Sequence, residues 1–189
     1  MTAYFASDER VADWEFELSY EFDALPCAPA TKWLAEQGTN NAQALWDRCD
    51  HPSWLTWVIY TAEMLDPTCS GYADTIATSV HDATLVYMNE TGSTAVATFS
   101  SWWHPIVAAS TDDGILRIDR LVYEVLKYML GDARAYSVYY FGPQPSKGPD
   151  DITADVLRVL LSAVRSAYPT PPAAFVRACE RMPAVEVTS

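Results

Sequence analysis

The sequence predicts a helix-dominated α+β fold with a small antiparallel sheet, and leaves a mainly α fold as the alternative. Half of the 189 residues are apolar, enough to enclose a substantial core. Several stretches place apolar residues at steps of three and four between helix start and stop signals. A few shorter runs are rich in Thr, Val, Tyr and Phe, or alternate apolar with polar as a pleated strand does. One compact domain over 1–189 is expected, divisible into an acidic part, 1–90, and a near-neutral helical part, 91–189.

In residues 13–23, DWEFELSYEFD, the large apolar residues Trp14, Phe16, Leu18, Tyr20 and Phe22 alternate with mostly acidic ones. A strand puts all five on one face. A helix gathers Val11, Trp14, Leu18, Phe22 and Leu25 into a stripe but leaves Phe16 and Tyr20 outside it, so the strand is preferred. ALPCAPATKWLAEQG then turns helical, with Pro29 in the first turn and Gly38 as the stop. TNNAQALWDRC restarts, with Asn40 and Gln43 at capping-box spacing. PSWLTWVIYTAEML begins a third helix at Pro52, with Trp54, Trp57, Val58 and Leu65 to bury.

TLVYMNETGSTAVATF reads as a hairpin around Gly92, against a competing helix over 72–88 carried by Ile76, Val80 and Ala83. The clearest helix is DDGILRIDRLVYEVLKYMLG: Ser110 and Asp113 fit its cap, Ile115, Ile118, Leu121, Val122, Val125 and Met129 form the stripe, and Gly131 ends it. AYSVYYF reads as a strand, and GPQPSKGPDD, 142–151, as an exposed loop. A helix over 152–168 follows, with Asp150 and Asp151 at its positive end. A short helix over 175–182 closes the chain.

The net charge of −13 is unevenly spread: residues 1–90 hold fifteen acids against Arg10, Lys32 and Arg48, whereas 91–189 hold ten acids against nine bases. A field of that sign argues against direct nucleic-acid or anionic-membrane binding, which needs clustered Lys and Arg. No basic segment followed by an apolar run opens the chain, and no run of about 18 apolar residues occurs, so neither a signal peptide nor a membrane span is expected. Cys27, Cys49, Cys69 and Cys179 include no Cys-x-x-Cys pair. Reduced thiols in a cytoplasmic protein are expected rather than a disulfide or zinc site.

The signatures of phosphate-cradling loops, zincins and nucleophile elbows are missing from the sequence. Of the three histidines, His51 and His104 precede proline and His81 neighbours Asp82. Cys49 lies two residues from His51, and a thiolate–imidazole pair seldom forms between such close neighbours. No cofactor, metal or catalytic residue is assigned. The enzymatic alternative is a carboxylate or thiol centre near His81 or His104. Most tryptophans sit at core spacing, but adjacent Trp102 and Trp103 do not both point inward easily. They are an apolar contact for a homo-oligomeric assembly protein, the second alternative.

The leading reading rests on charge. In a strand Glu15, Glu17, Glu21 and Asp23 would form a row with one gap, its steps about 6.6–6.8 Å, roughly half the charge density of a nucleic-acid strand. With Asp8, Glu9 and Asp13 alongside, such a row mimics nucleic acid in a basic cleft. The same acids also suit a solvated outer face that discourages strand pairing.

Cys27-x5-Trp33 and Cys49-x4-Trp54-Leu55-x-Trp57 give residues 27–57 a spacing that resembles a helical pair in small uncharacterised bacterial and phage proteins, some grouped with immunity-like proteins. The resemblance implies a phage or mobile-element setting and supplies no catalytic residues. Acidic proteins of that setting include inhibitors of host defence such as anti-CRISPR and antirestriction proteins. The expectation is therefore a non-catalytic inhibitor acting in the host cytoplasm on the basic surface of a nucleic-acid-handling complex.

Overall fold

The computed structural model describes residues 8–65, 71–141 and 152–183. These form ten α-helices and one two-stranded antiparallel hairpin. The order is α1 (Asp8–Phe22), α2 (Ala28–Glu36), α3 (Ala42–Arg48), α4 (Pro52–Leu65), α5 (Tyr72–Glu90), α6 (Val96–Ala109), β1 (Thr111–Asp112), β2 (Ile115–Leu116), α7 (Ile118–Leu130), α8 (Asp132–Phe141), α9 (Thr153–Ala167) and α10 (Ala173–Arg181). Helix α4 packs on α7 and α9, α5 runs against α9, and α7 also meets α6 and α8. Helix α1 packs on both α2 and α10, which joins the two ends of the described chain. One core cluster runs through these helices, with Trp14, Trp46, Phe99, Leu121, Leu126 and Leu160 fully enclosed.

Residues 13–23 are not a strand. Asp8 and Glu9 occupy the first turn of α1, where carboxylates meet the positive end of the helix dipole. Arg10, Trp14, Leu18 and Phe22 make its buried stripe, and Asp23, at φ 46°, turns the chain out of the helix. The helix wins because three large side chains at steps of four enter the core while two stay out, and those two shield each other: Phe16 and Tyr20, one turn apart, stack with centroids 6.5 Å apart.

The hairpin expected over 84–99 is also replaced. Helix α5 continues to Glu90, as the competing reading had it to Met88, and burial of Ile76, Ala77, Val80, Thr84 and Met88 along one face explains why. Gly92 lies in a turn, but the turn joins α5 to α6. AYSVYYF lies within α8, where Ala135 and Val138 at helical spacing face the core.

The sheet lies where a helix is expected. Thr111 pairs with Leu116 and Asp112 with Ile115, and the two-residue turn between them, Asp113 at φ 47° and Gly114 at φ 79°, has the positive dihedrals of a tight hairpin turn. Ile115 is therefore exposed rather than part of the buried stripe. Ser110 caps nothing on α7; its Oγ donates to the Ile106 carbonyl at 2.8 Å, at the end of α6. Helix α7 starts at Ile118 and stops at Gly131.

The cap of α3 is Asn41, whose Oδ1 accepts from the Ala44 N–H at 2.8 Å. Asn40 instead donates to the Met182 carbonyl at 3.1 Å. Pro29 and Pro52 lie in the first turns of α2 and α4 as expected, and the helices expected over 152–168 and 175–182 correspond to α9 and α10. Loop 142–151 lies outside the described residues.

Candidate functional site

Seven acids near the N-terminus are the candidate contact residues, and the helical geometry of α1 divides them. Glu17 and Glu21 share one side, toward α10. Arg181 donates from Nε to Glu17 Oε2 and from Nη1 to Glu21 Oε1, both at 2.5 Å, and Arg177 Nη2 reaches Glu21 Oε2 at 2.9 Å. Burial pushes the Glu21 carboxyl up, but hydrogen bonds from Arg181 and Arg177, with their charges, outweigh it and hold the group below its ordinary value. The Arg181 guanidinium also lies 5.0 Å from the centre of the Tyr20 ring. These two acids are thus tied to α10, and no evenly spaced row of carboxylates exists.

The rest stay outward. Asp8, Glu9, Glu15 and Asp23 are exposed and Asp13 is half-buried. None of the five makes an ion pair among the described residues. Positions 9, 13, 16 and 20 follow one another at helical steps, so Glu9, Asp13, Phe16 and Tyr20 share the outer stripe of α1. Phe16 and Tyr20 are 67% and 70% exposed. The exposed stripe is both acidic and aromatic.

On α6, Trp102 and Trp103 diverge. Trp103 packs on the rings of His81 and Phe99 at 4.7 and 5.8 Å, while Trp102 is 52% exposed. His81 sits parallel to Phe99 and its Nδ1 lies 2.9 Å from Asp82 Oδ1; His104 is exposed on α6. His51 is buried against Trp54 with ring centroids 3.5 Å apart. Burial pushes the Cys49 thiol up to about 12, whereas a cysteine nucleophile needs the opposite shift. Among the described residues no group of three or more His, Cys, Asp or Glu could hold a metal ion, and no helix is long and apolar enough to cross a membrane.

A cavity of about 310 Å³ opens beside α2, α3 and α4. Trp33, Trp46, Trp54 and Trp57 wall it, with the tilted Trp33 and Trp54 rings 5.9 Å apart. Every residue of the spacing in 27–57 faces it: Cys27, Trp33, Cys49, Trp54, Leu55 and Trp57. Asp119 is a polar part of the wall and pairs with Arg117 at 3.0 Å. Tyr139 is another, its phenol pushed up by burial first and by the Asp119 charge second. Neither His81 nor His104 lines this cavity.

No protein-family model matches the chain, and comparison with curated proteins and with solved structures finds no similar protein.

Proposed function

We propose that this is a non-catalytic binding protein that docks on a basic surface of another protein through the outer stripe of α1. Following the setting suggested by residues 27–57, the partner would belong to a nucleic-acid-handling complex of a host, whose activity the docked chain would inhibit. The observation that carries the reading is the stacked, exposed Phe16–Tyr20 pair on the same stripe as the carboxylates of Glu9 and Asp13, neither of which makes an ion pair among the described residues. A guanidinium stacks on an aromatic face and pairs with carboxylates, and aromatic anchors within a polar rim are the usual anatomy of a protein interface. An arginine-rich surface meets both requirements. The evenly spaced row of carboxylates forms no part of this reading, because residues 13–22 are helical.

The test is an affinity pull-down from a host lysate at low and high salt. Retention of a partner at low salt and its release at high salt support the reading, since exposed charges are screened over about 8–10 Å at physiological strength. Retention indifferent to salt counts against it. A second reading, a homo-oligomer that covers Trp102, is favoured by the exposure of that tryptophan on α6. Size-exclusion chromatography separates the two.

A further inference from the structure

We propose that the tryptophan-walled cavity beside α2, α3 and α4, together with the exposed tyrosine at its mouth, is a binding site for an uncharged bicyclic aromatic molecule, held by ring packing and shape rather than by hydrogen bonds. Size comes first. A cavity of about 150 Å³ in a protein core holds one benzene ring, and this one measures about 310 Å³, room for two fused rings. Leu18, Leu45 and Phe175 of its lining are buried, whereas Leu25 and Tyr140 are exposed, so the cavity runs from the core to solvent. Its mouth continues as aromatic surface, since the Tyr140 ring lies 4.7 Å from that of Tyr136, which is also exposed.

Charge is the second constraint. Asp119 is the one carboxylate among the described residues of the wall, and no lysine, arginine or histidine among them joins it. Arg117 already matches Asp119 through Nη2 at 3.0 Å and Nε at 3.4 Å. Burial keeps the Cys27 and Cys49 thiols protonated. A charged ligand would lose its hydration without finding an unmatched counter-charge, and a neutral one avoids that loss.

Ring packing follows from where the wall spends its polar groups. Ser53 Oγ donates to the Tyr139 carbonyl at 2.9 Å, Trp46 Nε1 to the Tyr168 carbonyl at 3.3 Å and Cys49 Sγ to the His51 carbonyl at 3.6 Å. The Trp54 indole N–H is closed off from the cavity and set against the Cys27 sulfur. With these groups committed inside the protein, the wall offers a guest chiefly ring and aliphatic surface. Trp33 and Trp54 are tilted by 59° with centroids 5.9 Å apart, which gives a flat guest offset and edge-on partners. Aromatic pairs gain more than the area they bury, so an aromatic guest is favoured over a saturated one of the same size. The inference is independent of docking at α1, and either can fail without the other.

Three compounds separate the requirements. 2-Naphthol is a neutral bicyclic aromatic near neutral pH, decahydro-2-naphthol is its saturated counterpart, and naphthalene-2,6-dicarboxylate carries a charge into the cavity whichever end enters. Calorimetric titration of the whole chain is run in about 0.5 M salt, which screens the chain's overall negative field. Saturable binding of 2-naphthol is expected. Decahydro-2-naphthol should bind about two- to tenfold more weakly, the span of an aromatic pair, and the dicarboxylate about a hundredfold or more weakly. Cys27 belongs to the wall, so bound 2-naphthol should slow its alkylation by iodoacetamide in the parent protein. Ala30→Trp, which adds bulk to the cavity wall, should abolish binding in a protein whose circular dichroism remains helical. If Ala30→Trp does not fold, protection of Cys27 still decides. No saturable heat from 2-naphthol, equal affinity for either of the other compounds, or unchanged Cys27 labelling at saturation would each overturn the proposal.

Discussion

Arg181 of α10 donates from Nη1 to Glu21 Oε1 of α1 at 2.5 Å, across 160 residues of chain. Glu21 keeps only 7% of its side chain exposed and Arg181 35%. The pair is therefore largely shielded, and removing one partner leaves the other short of hydrogen bonds. Glu21→Ala should lower unfolding free energy by about 1–2 kcal/mol, whereas Glu15→Ala, at an exposed and unpaired site, should change it by about 0.5 kcal/mol or less. Urea denaturation of the two variants gives the comparison.

The same pair sets an acid response. The folded pKa of Glu21 lies below its reference of 4.5, so its contribution is fully present above 4.5 and is lost as pH falls through the folded value. Glu21→Gln should flatten this part of the stability profile. An unchanged acid limb in that variant would show that other groups set it.

His51 acts over a different window. Burial lowers its pKa from 6.5 to about 4, against the opposing pull of the Asp50 carboxylate. The folded state then binds the proton less readily than the unfolded chain does. Stability is highest above pH 6.5, declines as pH falls from there, and levels off below about 4. The loss should be on the order of 3 kcal/mol, and His51→Gln should remove most of this slope. Chemical denaturation at a series of pH values measures it.

The thiols should differ in reactivity. Cys27 is exposed as a residue, although desolvation of its sulfur also raises the thiol, whereas Cys49 and Cys179 are buried and raised to about 12. Iodoacetamide should label Cys27 in the native protein before Cys49 or Cys179, which should react only on unfolding. Mass spectrometry of the labelled peptides shows the order, and early labelling of Cys49 would contradict the burial that argues against a cysteine nucleophile.

Helices with their own punctuation are legible in the sequence. Helix α2 carries Pro29 in its first turn and ends ahead of Gly38, α4 starts at Pro52, and α7 stops at Gly131. Helices α1 and α8 are not legible in the same way. Their aromatic residues suit a pleated surface, but that preference reflects packing more than backbone, and tertiary contacts decide it. Trp14, Leu18 and Phe22 find α2, α4 and α10 at helical steps.

The hairpin had a readable signal, Asp113-Gly114 between two short runs, masked by the helical step from Ile115 to Ile118. No local signal links Glu17 and Glu21 to arginines more than 150 residues away. The cavity is hidden for a related reason. Its wall draws Leu18 from α1, Tyr139 from α8 and Phe175 from α10 to join the residues of α2–α4, and only the Cys/Trp spacing of 27–57 shows in the sequence.

Docking through α1 should depend on the exposed members of its stripe and not on the paired ones. Phe16→Ser and Tyr20→Ser should each weaken partner binding about tenfold or more, as loss of an aromatic anchor does. Charge reversal at Glu17 or Glu21 would set a lysine against Arg177 and Arg181 and should lower stability instead.

The most direct measurement is the affinity of a partner, captured at low salt, for the parent chain and for a double variant with Glu9→Lys and Asp13→Lys, each at two salt concentrations. The account predicts that binding to the parent weakens steeply with salt and that the double variant, once circular dichroism shows its helices intact, does not bind. Equal affinity for both chains at both salts would contradict it.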